Sequence, residues 1–330
     1  MARQGSSRAA TALDGDAAAL RSTAYTAARL YYLEDLSQAE VAERLGVSRS
    51  TVSRLLAKAR DLQIVRIEVR SPAPADGLAD ALVEVFGLRG AIVVPAAPGV
   101  ALAALADPAK RLLASLDLPS GSVLALGWGR AMMEVVAAGL PPLPEVVIVP
   151  TIGGLAERDA SFQLNELVRR AAVASGGQAS FLHAPAMPSR ALRRSLEREP
   201  PIRAVLTCWD KISVAVVGVG GPPSAGGHAR RHLPGSIDAL AGAVGDISWH
   251  YFDLAGEPVR YPDEERLLGV SREQLAAAGT LVAVAAGTDK APSILGACRA
   301  GLVDVLVTEA TTAEAVLALA ERPGGAPDRG

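Results

Sequence analysis

The sequence is poor in the residue types from which metal centres, disulfide frameworks and catalytic sites are most often built. Its 330 residues include only two cysteines and four histidines. Cys208 and Cys298 are ninety residues apart and have neither metal-ligand nor secreted-disulfide spacing, so we interpret them as reduced thiols of the core. The histidines are scattered along the chain. We therefore expect no metal site, no cofactor and no disulfide.

A targeting segment and a long apolar run are also missing. The first eighteen residues do not contain the apolar core of a signal peptide. Residues 91–106 are apolar and uncharged, but Pro95, Pro98 and Gly99 interrupt them, so this stretch is too discontinuous to span a bilayer. We expect a soluble, cytoplasmic protein that has no membrane partner.

Length and charge together predict two domains of different character. A chain of 330 residues exceeds the size of most single cores, and its 50% hydrophobic content is sufficient for a large core. The formal net charge is −2, yet residues 19–70 carry +3 and the remainder carries −5. A small basic module joined to an acidic body is the charge distribution expected of a nucleic-acid-binding domain attached to a second domain.

Residues 37–60 have the local chemistry of two helices joined by a tight turn. Ser37 and Glu40 have the spacing of a capping box, in which the serine side chain accepts from the helix backbone and the glutamate reaches back. Gly46 stands where a helix end requires positive φ, and Ser48 can cap the next helix. This order of signals predicts a helix-turn-helix.

The second helix separates into an apolar face and a basic face. Val52, Leu55 and Leu56 lie on the face predicted to be buried, and residues 48–60 contain no acidic residue. A solvated αα-hairpin is the alternative, but the two caps, the glycine and the acid-free face favour binding to the major groove of double-stranded operator DNA. The predicted DNA contacts are Ser37, Gln38, Ser48, Arg49, Ser50, Thr51, Ser53, Arg54 and Lys58. Among them, Arg49, Ser50, Thr51 and Arg54 are assigned to base edges and Ser48 mainly to capping.

Composition suggests how these modules are arranged along the chain. We predict a disordered tail at 1–18, a helix-turn-helix domain at 19–70, a linker at 71–77, an effector domain at 78–322 and a tail at 323–330. A support helix is expected at Ala17–Glu34. The alternation of Val65, Ile67 and Val69 with charged residues predicts a strand over 63–70.

Beyond the linker, short β-branched runs alternate with helical stretches. This alternation predicts an α/β domain with a mostly parallel sheet that is covered on both faces. The predicted strands are Ala91–Val94, Val123–Leu126, Val146–Val149, Ala179–Leu182, Ala204–Leu206, Ile212–Val219, Leu281–Ala285 and Val303–Val307. The predicted helices are Arg130–Ala138, Phe162–Ala174, Ser189–Glu197, Arg272–Ala278, Ala291–Ala300 and Ala313–Ala320. No G-x-G-x-x-G follows the first strand, so a dinucleotide site is not supported.

Three predicted strands end in glycine-containing turns that suit an anionic ligand. The turns are Gly127–Arg130, Pro150–Gly154 and Gly287–Lys290, and the first and last place a cation where a helix begins. A cation there opposes the helix dipole, so a bound anion would offset the repulsion. Ordinary βα turns are the alternative for each one alone.

Other polar residues of this domain allow more than one interpretation. Asp246 either binds a ligand hydroxyl or belongs to a turn, and Gln163 and Asn165 either contact hydroxyls or cap a helix. No nucleophile–base pair, metal cluster or paired carboxylate is visible, so no catalytic residue is assigned.

Taken together, these motifs resemble those of the SorC-type sugar-binding transcriptional regulators, which are also described as DeoR-like. The resemblance covers about residues 19–320 and includes the helix-turn-helix with its exit strand and the closing segment VTEATTAEAVL. Within the effector domain it rests on GWGR at 127–130, TIGG at 151–154, NELVRR at 165–170, the pattern GD…FD…G from Gly245 to Gly256, and AGTDK ending at Lys290. Residues 247–251 depart from the small and basic residues that the family has after the GD pair.

The resemblance implies a fold, a ligand class and an assembly. The fold would be a Rossmann-like, sugar-phosphate-isomerase-like effector domain that binds a sugar, a sugar phosphate or a related metabolite. The assembly would be a homodimer or homotetramer. The residues carried over as effector contacts are Gly127, Trp128, Gly129, Arg130, Thr151, Gly153, Gly154, Gln163, Asn165, Asp246 and Lys290.

Two other functions are compatible with parts of this pattern. A sugar-phosphate isomerase or deaminase with an appended helix-turn-helix would need Asp246, His250, Asp253 and Lys290 for acid–base chemistry. A module that binds an acidic protein through its basic helix is the second alternative. The sequence favours a transcriptional regulator over both.

Overall fold

The computed structural model describes residues 21–34, 36–62, 64–65, 75–95, 101–155, 163–223 and 237–321. The chain divides into two compact units, residues 1–71 and residues 72–330. Both predicted tails, most of the predicted strand at 63–70 and residues 71–74 of the predicted linker lie outside the described residues.

The regular elements in the described part of the first unit are all helices. Helix α1 includes residues 21–32, and α2 (Gln38–Leu45) and α3 (Arg49–Asp61) follow. The predicted capping box is present, because the Ser37 side chain accepts from the Glu40 N–H at 3.3 Å and the Ser37 N–H donates to the Glu40 carboxylate at 2.8 Å. Gly46 ends α2 with φ of 65°. The Thr51 N–H donates to the Ser48 hydroxyl at 3.1 Å, so α3 also has the predicted cap.

A small apolar core joins these three helices. It is formed by one face of each helix, with Ile64 and Val65 packed against it after α3. The apolar face predicted for α3 is confirmed, since Val52, Leu55 and Leu56 are buried. The buried members of this core are Ala24, Ala27, Ala28, Leu30, Val41, Ala42, Val52, Leu55, Leu56 and Ala59.

The second unit is built on a seven-stranded parallel sheet within its described residues. The strands are β1 (Gly90–Val94), β2 (Val123–Leu126), β3 (Val147–Pro150), β4 (Gln178–Ala179), β5 (Ile212–Gly218), β8 (Thr280–Val284) and β9 (Val305–Glu309). Their order in the sheet is β1-β9-β8-β5-β2-β3-β4, and every pair is parallel. A separate antiparallel hairpin consists of β6 (Gly245–Ile247) and β7 (His250–Phe252).

Helices cover both faces of the parallel sheet, as the continuous apolar strands predict. Successive residues of one strand enter opposite cores: Val214 and Val216 belong to one, and Ala215 and Val217 to the other. Among its described residues, this unit has the helices α4 (Ala75–Phe86), α5 (Ala101–Ser115), α6 (Arg130–Ala137), α7 (Leu164–Ser175), α8 (Arg190–Leu196), α9 (Pro200–Trp209), α10 (Arg272–Ala276), α11 (Ala291–Arg299) and α12 (Ala310–Ala320). Cys298 is buried and Cys208 is half-buried, and both are free thiols.

The direction of the chain through the sheet changes between β2 and β5. The connections from β2 to β3 and β4 move toward one edge, whereas β5 returns to the other side of β2 and leads toward β8 and β9. Loops at the carboxyl ends of two strands separate at such a reversal and leave a crevice, which is where open α/β sheets bind ligands.

Three sequence expectations for this unit are wrong. Ala204–Leu206 is not a strand but lies within α9, which the Pro-Pro pair at its first turn could have indicated. Residues 75–77 of the predicted linker are the start of α4. The predicted strand Ala179–Leu182 is mostly not a strand, because β4 ends at Ala179.

No helix among the described residues is both long and apolar enough to cross a membrane.

The cap of α2 gives a test of the first unit. Replacing Ser37 with alanine removes the side-chain acceptor of the Glu40 N–H, so we expect local stability to fall by about 1 kcal/mol. Hydrogen exchange of the α2 and α3 amides in the full-length protein measures this effect. Ser53→Ala on the exposed face of α3 is the control, and equal exchange in the two variants would contradict the role of the cap.

Candidate functional site

The crevice between β2 and β5 brings together four segments that are distant in the sequence. They are the turn after β2 (Gly127–Arg130), the segment after β5 (Val219–Gly221), the β6–β7 hairpin and the turn after β8 (Gly287–Lys290). Because β8, β5 and β2 are neighbours in a parallel sheet, their carboxyl ends all lie at the same edge. We call this set of segments the crevice site.

The turn after β2 presents the uncapped start of α6. Gly127 is held against β5, since its N–H donates to the Val216 carbonyl at 2.8 Å and a Cβ there would lie 3.0 Å from the Cα of Val217. Gly129 has φ of 101° and provides no side-chain cap for α6. Arg130, the first residue of this helix, is exposed. An uncapped helix start next to a cation is suited to bind an anion.

Lys290 approaches the crevice site from the turn after β8. Its ammonium donates to the Val219 carbonyl at 3.1 Å, and a Cβ on Gly221 would lie 3.2 Å from its Nζ atom. Burial lowers the pKa of Lys290, and the positive charge of Arg130 lowers it further, although Asp246 and Asp289 act in the opposite direction. Arg130 and Lys290, which follow different strands, are therefore close enough for their positive charges to repel each other.

Asp246 is buried beside the same segment. Its backbone carbonyl accepts from the Gly220 N–H at 2.8 Å, and its carboxylate accepts from the Trp249 N–H at 3.0 Å. Only glycine fits at position 220, because a Cβ there would lie 1.9 Å from the Asp246 Oδ1 atom. Burial raises the pKa of Asp246 to about 6, against the opposing effects of the Trp249 N–H, Lys290 and His250.

The tip of the β6–β7 hairpin closes one side of the crevice site. Ser248 and Trp249 both have positive φ, 50° and 68°, which is the backbone geometry of a two-residue hairpin turn. The Ser248 hydroxyl donates to the Thr151 hydroxyl at 3.0 Å. Trp249 is buried and meets Trp128 edge to face, with ring centroids 5.8 Å apart. Residues 247–251, which depart from the family pattern, therefore contribute an aromatic surface to the crevice site.

The backbone amides of the turn after β3 have acceptors within the protein. The Thr151, Gly153 and Gly154 N–H groups donate to the carbonyls of Leu126, Leu268 and Ala184, at 3.0, 2.9 and 2.7 Å respectively. Since these amides already have protein acceptors, they are not available to cradle an anion. Thr151 instead supports Ser248, and any effector contact by these three residues stays a prediction.

Asn165 and Gln163 lie where α7 begins. The Asn165 amide group donates to the Leu182 carbonyl at 3.0 Å and accepts from the Leu182 N–H at 3.1 Å, so it fixes the backbone after β4. Gln163 is the N-cap residue of α7, and its side chain does not bond to the helix as a cap. Neither side chain caps α7 in these bonds, and their contact with ligand hydroxyls stays a prediction.

The structure thus brings together some of the predicted effector residues and adds others. Gly127, Trp128, Gly129, Arg130, Asp246 and Lys290 line the crevice site. Gly220, Ser248 and Trp249 were not predicted, although the Val219-Gly-Gly run after a strand was a usable signal for the first. Among the described residues, no group of three His, Cys, Asp or Glu side chains is arranged to hold a metal ion.

The predicted DNA-contacting face of α3 is exposed. Arg49, Ser50, Ser53, Arg54 and Lys58 are exposed and Thr51 is half-buried. Ser48 lies 2.8 Å from the hydroxyls of both Ser50 and Thr51, so these three hydroxyls form a polar cluster at the start of α3. Ser37 is exposed and Gln38 half-buried at the start of α2. A helix N-terminus rich in hydroxyls, followed by cations, is suited to contact phosphates and bases.

Comparison with known proteins yields matches to both units. Residues 74–318 match the family described as "Putative sugar-binding domain". Residues 29–61 match the family described as "Sigma-70, region 4". The first match extends over most of the chain.

Relatives match over nearly their whole lengths. The chain is 31% identical over 304 residues to the sorbitol operon regulator of Klebsiella pneumoniae, a match covering 88% of this chain and 96% of that protein. It is 33% identical over 313 residues to the transcriptional regulator LsrR of Enterobacter sp. (strain 638), covering 88% and 91%. The crystal structure of the full-length regulator SorC from Klebsiella pneumoniae superposes with a TM-score of 0.67 at 30% identity, covering 90% of this chain and 99% of that one.

The raised pKa of Asp246 predicts a pH-dependent stability. The native carboxyl holds its proton more tightly than the unfolded chain, whose ordinary pKa is 3.8, and it loses that proton near pH 6. Its contribution to stability is therefore present below about pH 4 and is lost as the pH rises through about 6, by at most about 3 kcal/mol.

Asp246→Asn cannot ionise, so its free energy of unfolding should rise relative to the parent protein between pH 4 and pH 7.5. Urea unfolding at several pH values measures this difference. Asp238→Asn, at an exposed position, is the control. The prediction is wrong if Asp246→Asn and the parent protein show the same pH dependence.

Proposed function

Because the chain belongs to the SorC-type family of sugar-binding transcriptional regulators, we propose that α3 binds operator DNA and that a sugar or sugar phosphate in the crevice site changes DNA affinity. The observation that carries the effector assignment is the meeting of Arg130, Lys290 and the uncapped start of α6 around the buried Asp246. The family resemblance predicted from the sequence is confirmed by the matches to both units.

The anionic end of the effector binds between α6 and Lys290. There the ligand meets the first-turn amides of α6, the Arg130 guanidinium and the Lys290 ammonium. A phosphate group supplies several acceptor oxygens and at least one full negative charge, which matches these donors. It also relieves the repulsion between the two cations that lowers the pKa of Lys290.

The carbohydrate end lies over Asp246 and Trp128. A carboxylate accepts hydrogen bonds from hydroxyl groups, and the half-buried indole of Trp128 offers an apolar surface to the C–H groups of a sugar or polyol. One relative carries the name of a sorbitol operon, so hexitols and their phosphates belong among the first compounds to test.

DNA binding uses the exposed face of α3 in a symmetric assembly. A module with a charge of only +3 contacts one half-site, and a homodimer or homotetramer would join two such modules on a palindromic operator in the cytoplasm. The effector shifts the equilibrium between two arrangements of the assembly according to its difference in affinity for them.

The enzyme alternative receives less support than the regulator. In that alternative His250 would act with Asp246, but the His250 Nε2 atom lies 2.7 Å from the Val270 carbonyl and its Nδ1 atom lies 3.9 Å from Glu264. The ring therefore faces Val270 and Glu264, neither of which belongs to the crevice site. We therefore propose that the protein is not an enzyme.

A thermal-shift comparison tests the effector assignment. We expect sorbitol 6-phosphate or glucose 6-phosphate to raise the unfolding temperature, because a ligand selective for the native state adds about 2.7 kcal/mol at a hundred times its Kd. Lys290→Met should lose this shift. Lys211→Met, on an exposed lysine just before β5, should keep it. A shift that persists in Lys290→Met would place the anion elsewhere.

The role of Arg54 in DNA recognition is tested with an operator obtained by selection from random duplexes. Arg54→Ala should weaken binding by about 1–3 kcal/mol if the guanidinium reads a guanine, and should relax the preference at one base pair. Fluorescence anisotropy at fixed salt measures both effects. Arg44→Ala, in the last turn of α2, is the matched control. Unchanged affinity and preference in Arg54→Ala would remove this residue from the base contacts.

A further inference from the structure

A buried carboxylate lies at the end of β9, directly behind the turn that presents Lys290. Glu309 is the last residue of β9 and only 6% exposed. Its Oε1 atom accepts from the Gly287 N–H at 3.2 Å and from the Thr312 hydroxyl at 3.1 Å. The Thr312 hydroxyl in turn accepts from the same Gly287 N–H at 2.8 Å. We call Glu309, Thr312 and the Gly287 amide the clasp.

The clasp uses a charge where a neutral residue would suffice for packing. A carboxylate removed from water is costly unless it is paired with a cation or held by hydrogen bonds. The ion pairs found among the described residues do not include Glu309. The Glu309 carboxylate is therefore held by its hydrogen bonds from the Gly287 N–H and the Thr312 hydroxyl. Hydrogen bonds to a charged acceptor are about twice as strong as those between neutral groups.

A short chain of hydrogen bonds leads from the clasp to the crevice site. The Gly287 carbonyl accepts from the Lys290 N–H at 2.9 Å, so the residue held by the clasp also fixes the lysine backbone. The Lys290 ammonium then donates to the Val219 carbonyl at 3.1 Å. Gly287 has φ of 109°, a conformation that other residues rarely adopt, and the clasp holds it there.

We propose that Glu309 and Thr312 are positioning residues that hold the turn Gly287–Lys290 so that the Lys290 ammonium faces the crevice site. This inference rests on the proposed function only for its effect on ligand binding, because the hold on Lys290 exists without a ligand. Neither side chain touches the effector. Glu309 acts through Gly287, and Thr312 shares the same amide.

The first test measures Lys290 itself. Competitive acetylation over a range of pH, read by mass spectrometry, reports the pKa of this lysine in the full-length protein. In the parent protein the midpoint should lie below that of an ordinary lysine, because burial lowers the pKa of Lys290. In Glu309→Gln and Thr312→Val the freed ammonium becomes hydrated, so the midpoint should rise toward the ordinary value.

Matched variants separate positioning from general destabilisation. Glu314→Gln and Thr311→Val lie on the same helix, α12, outside the clasp, and should leave the Lys290 profile unchanged. Thr312→Ser keeps the hydroxyl and should behave as the parent protein. If Glu309→Gln fails to fold, the pair Thr312→Val and Thr312→Ser decides the question. A Lys290 profile that is the same in every clasp variant as in the parent protein overturns the inference.

The second test links the clasp to ligand binding. Calorimetric titration with inorganic phosphate should show about tenfold weaker affinity in Glu309→Gln, because the misplaced ammonium loses a charge-assisted bond. Lys290→Met should bind phosphate still more weakly. Normal phosphate affinity in Glu309→Gln, with weak binding in Lys290→Met, overturns the inference and leaves the proposed function in place. No phosphate binding by the parent protein counts against the proposed anion site, and the acetylation profile still decides the clasp.

Discussion

Burial of charge at the carboxyl ends of β2, β5 and β8 is the constraint on which the crevice site depends. Asp246 and Lys290 have opposite charges, yet burial raises the pKa of the acid and lowers the pKa of the base. The attraction between them is therefore smaller than the loss of hydration that each one suffers. A site in this state gains free energy from any ligand that replaces the missing water with suitable donors and acceptors. The buried charges of Asp246 and Lys290 would therefore favour the ligand binding proposed for this site.

The scaffold maintains this state through contacts that are not themselves charged. Gly220 leaves room for the Asp246 carboxylate, and the Ser248–Trp249 turn adopts a left-handed backbone that costs roughly 1–2 kcal/mol per residue. The Thr151 hydroxyl and the Trp128 ring hold that turn in place. The parallel sheet brings these segments together at one edge, although they come from distant parts of the sequence. A substitution that removes one of these supporting contacts therefore changes the surroundings of Asp246 and Lys290, although neither charged residue is replaced.

Local chemistry made the helix-turn-helix predictable, whereas the contacts of the crevice site depend on distant parts of the chain. The caps at Ser37 and Ser48 and the glycine turn are determined by neighbours within a few residues, and all are present. The strand ends at Gly127 and Lys290 were also found from alternating patterns. The carbonyl partners of the Gly153 and Gly154 amides, Leu268 and Ala184, are not adjacent to them in sequence, so no local pattern could indicate these hydrogen bonds. The triplet Ala204–Leu206 was assigned to a strand because three apolar residues are compatible with either element, and only its packing in α9 decides between them.

The edge-to-face pair of Trp128 and Trp249 has an optical consequence. The protein contains three tryptophans, and two of them have ring centroids 5.8 Å apart at the crevice site. The third, Trp209, is buried at the end of α9 with its indole N–H bonded to the Pro150 carbonyl. At so short a separation the two indoles couple electronically, and the hydration of Trp128 sets its emission wavelength. A ligand that binds in the crevice site as proposed would therefore change the intrinsic fluorescence of the protein, with no attached dye.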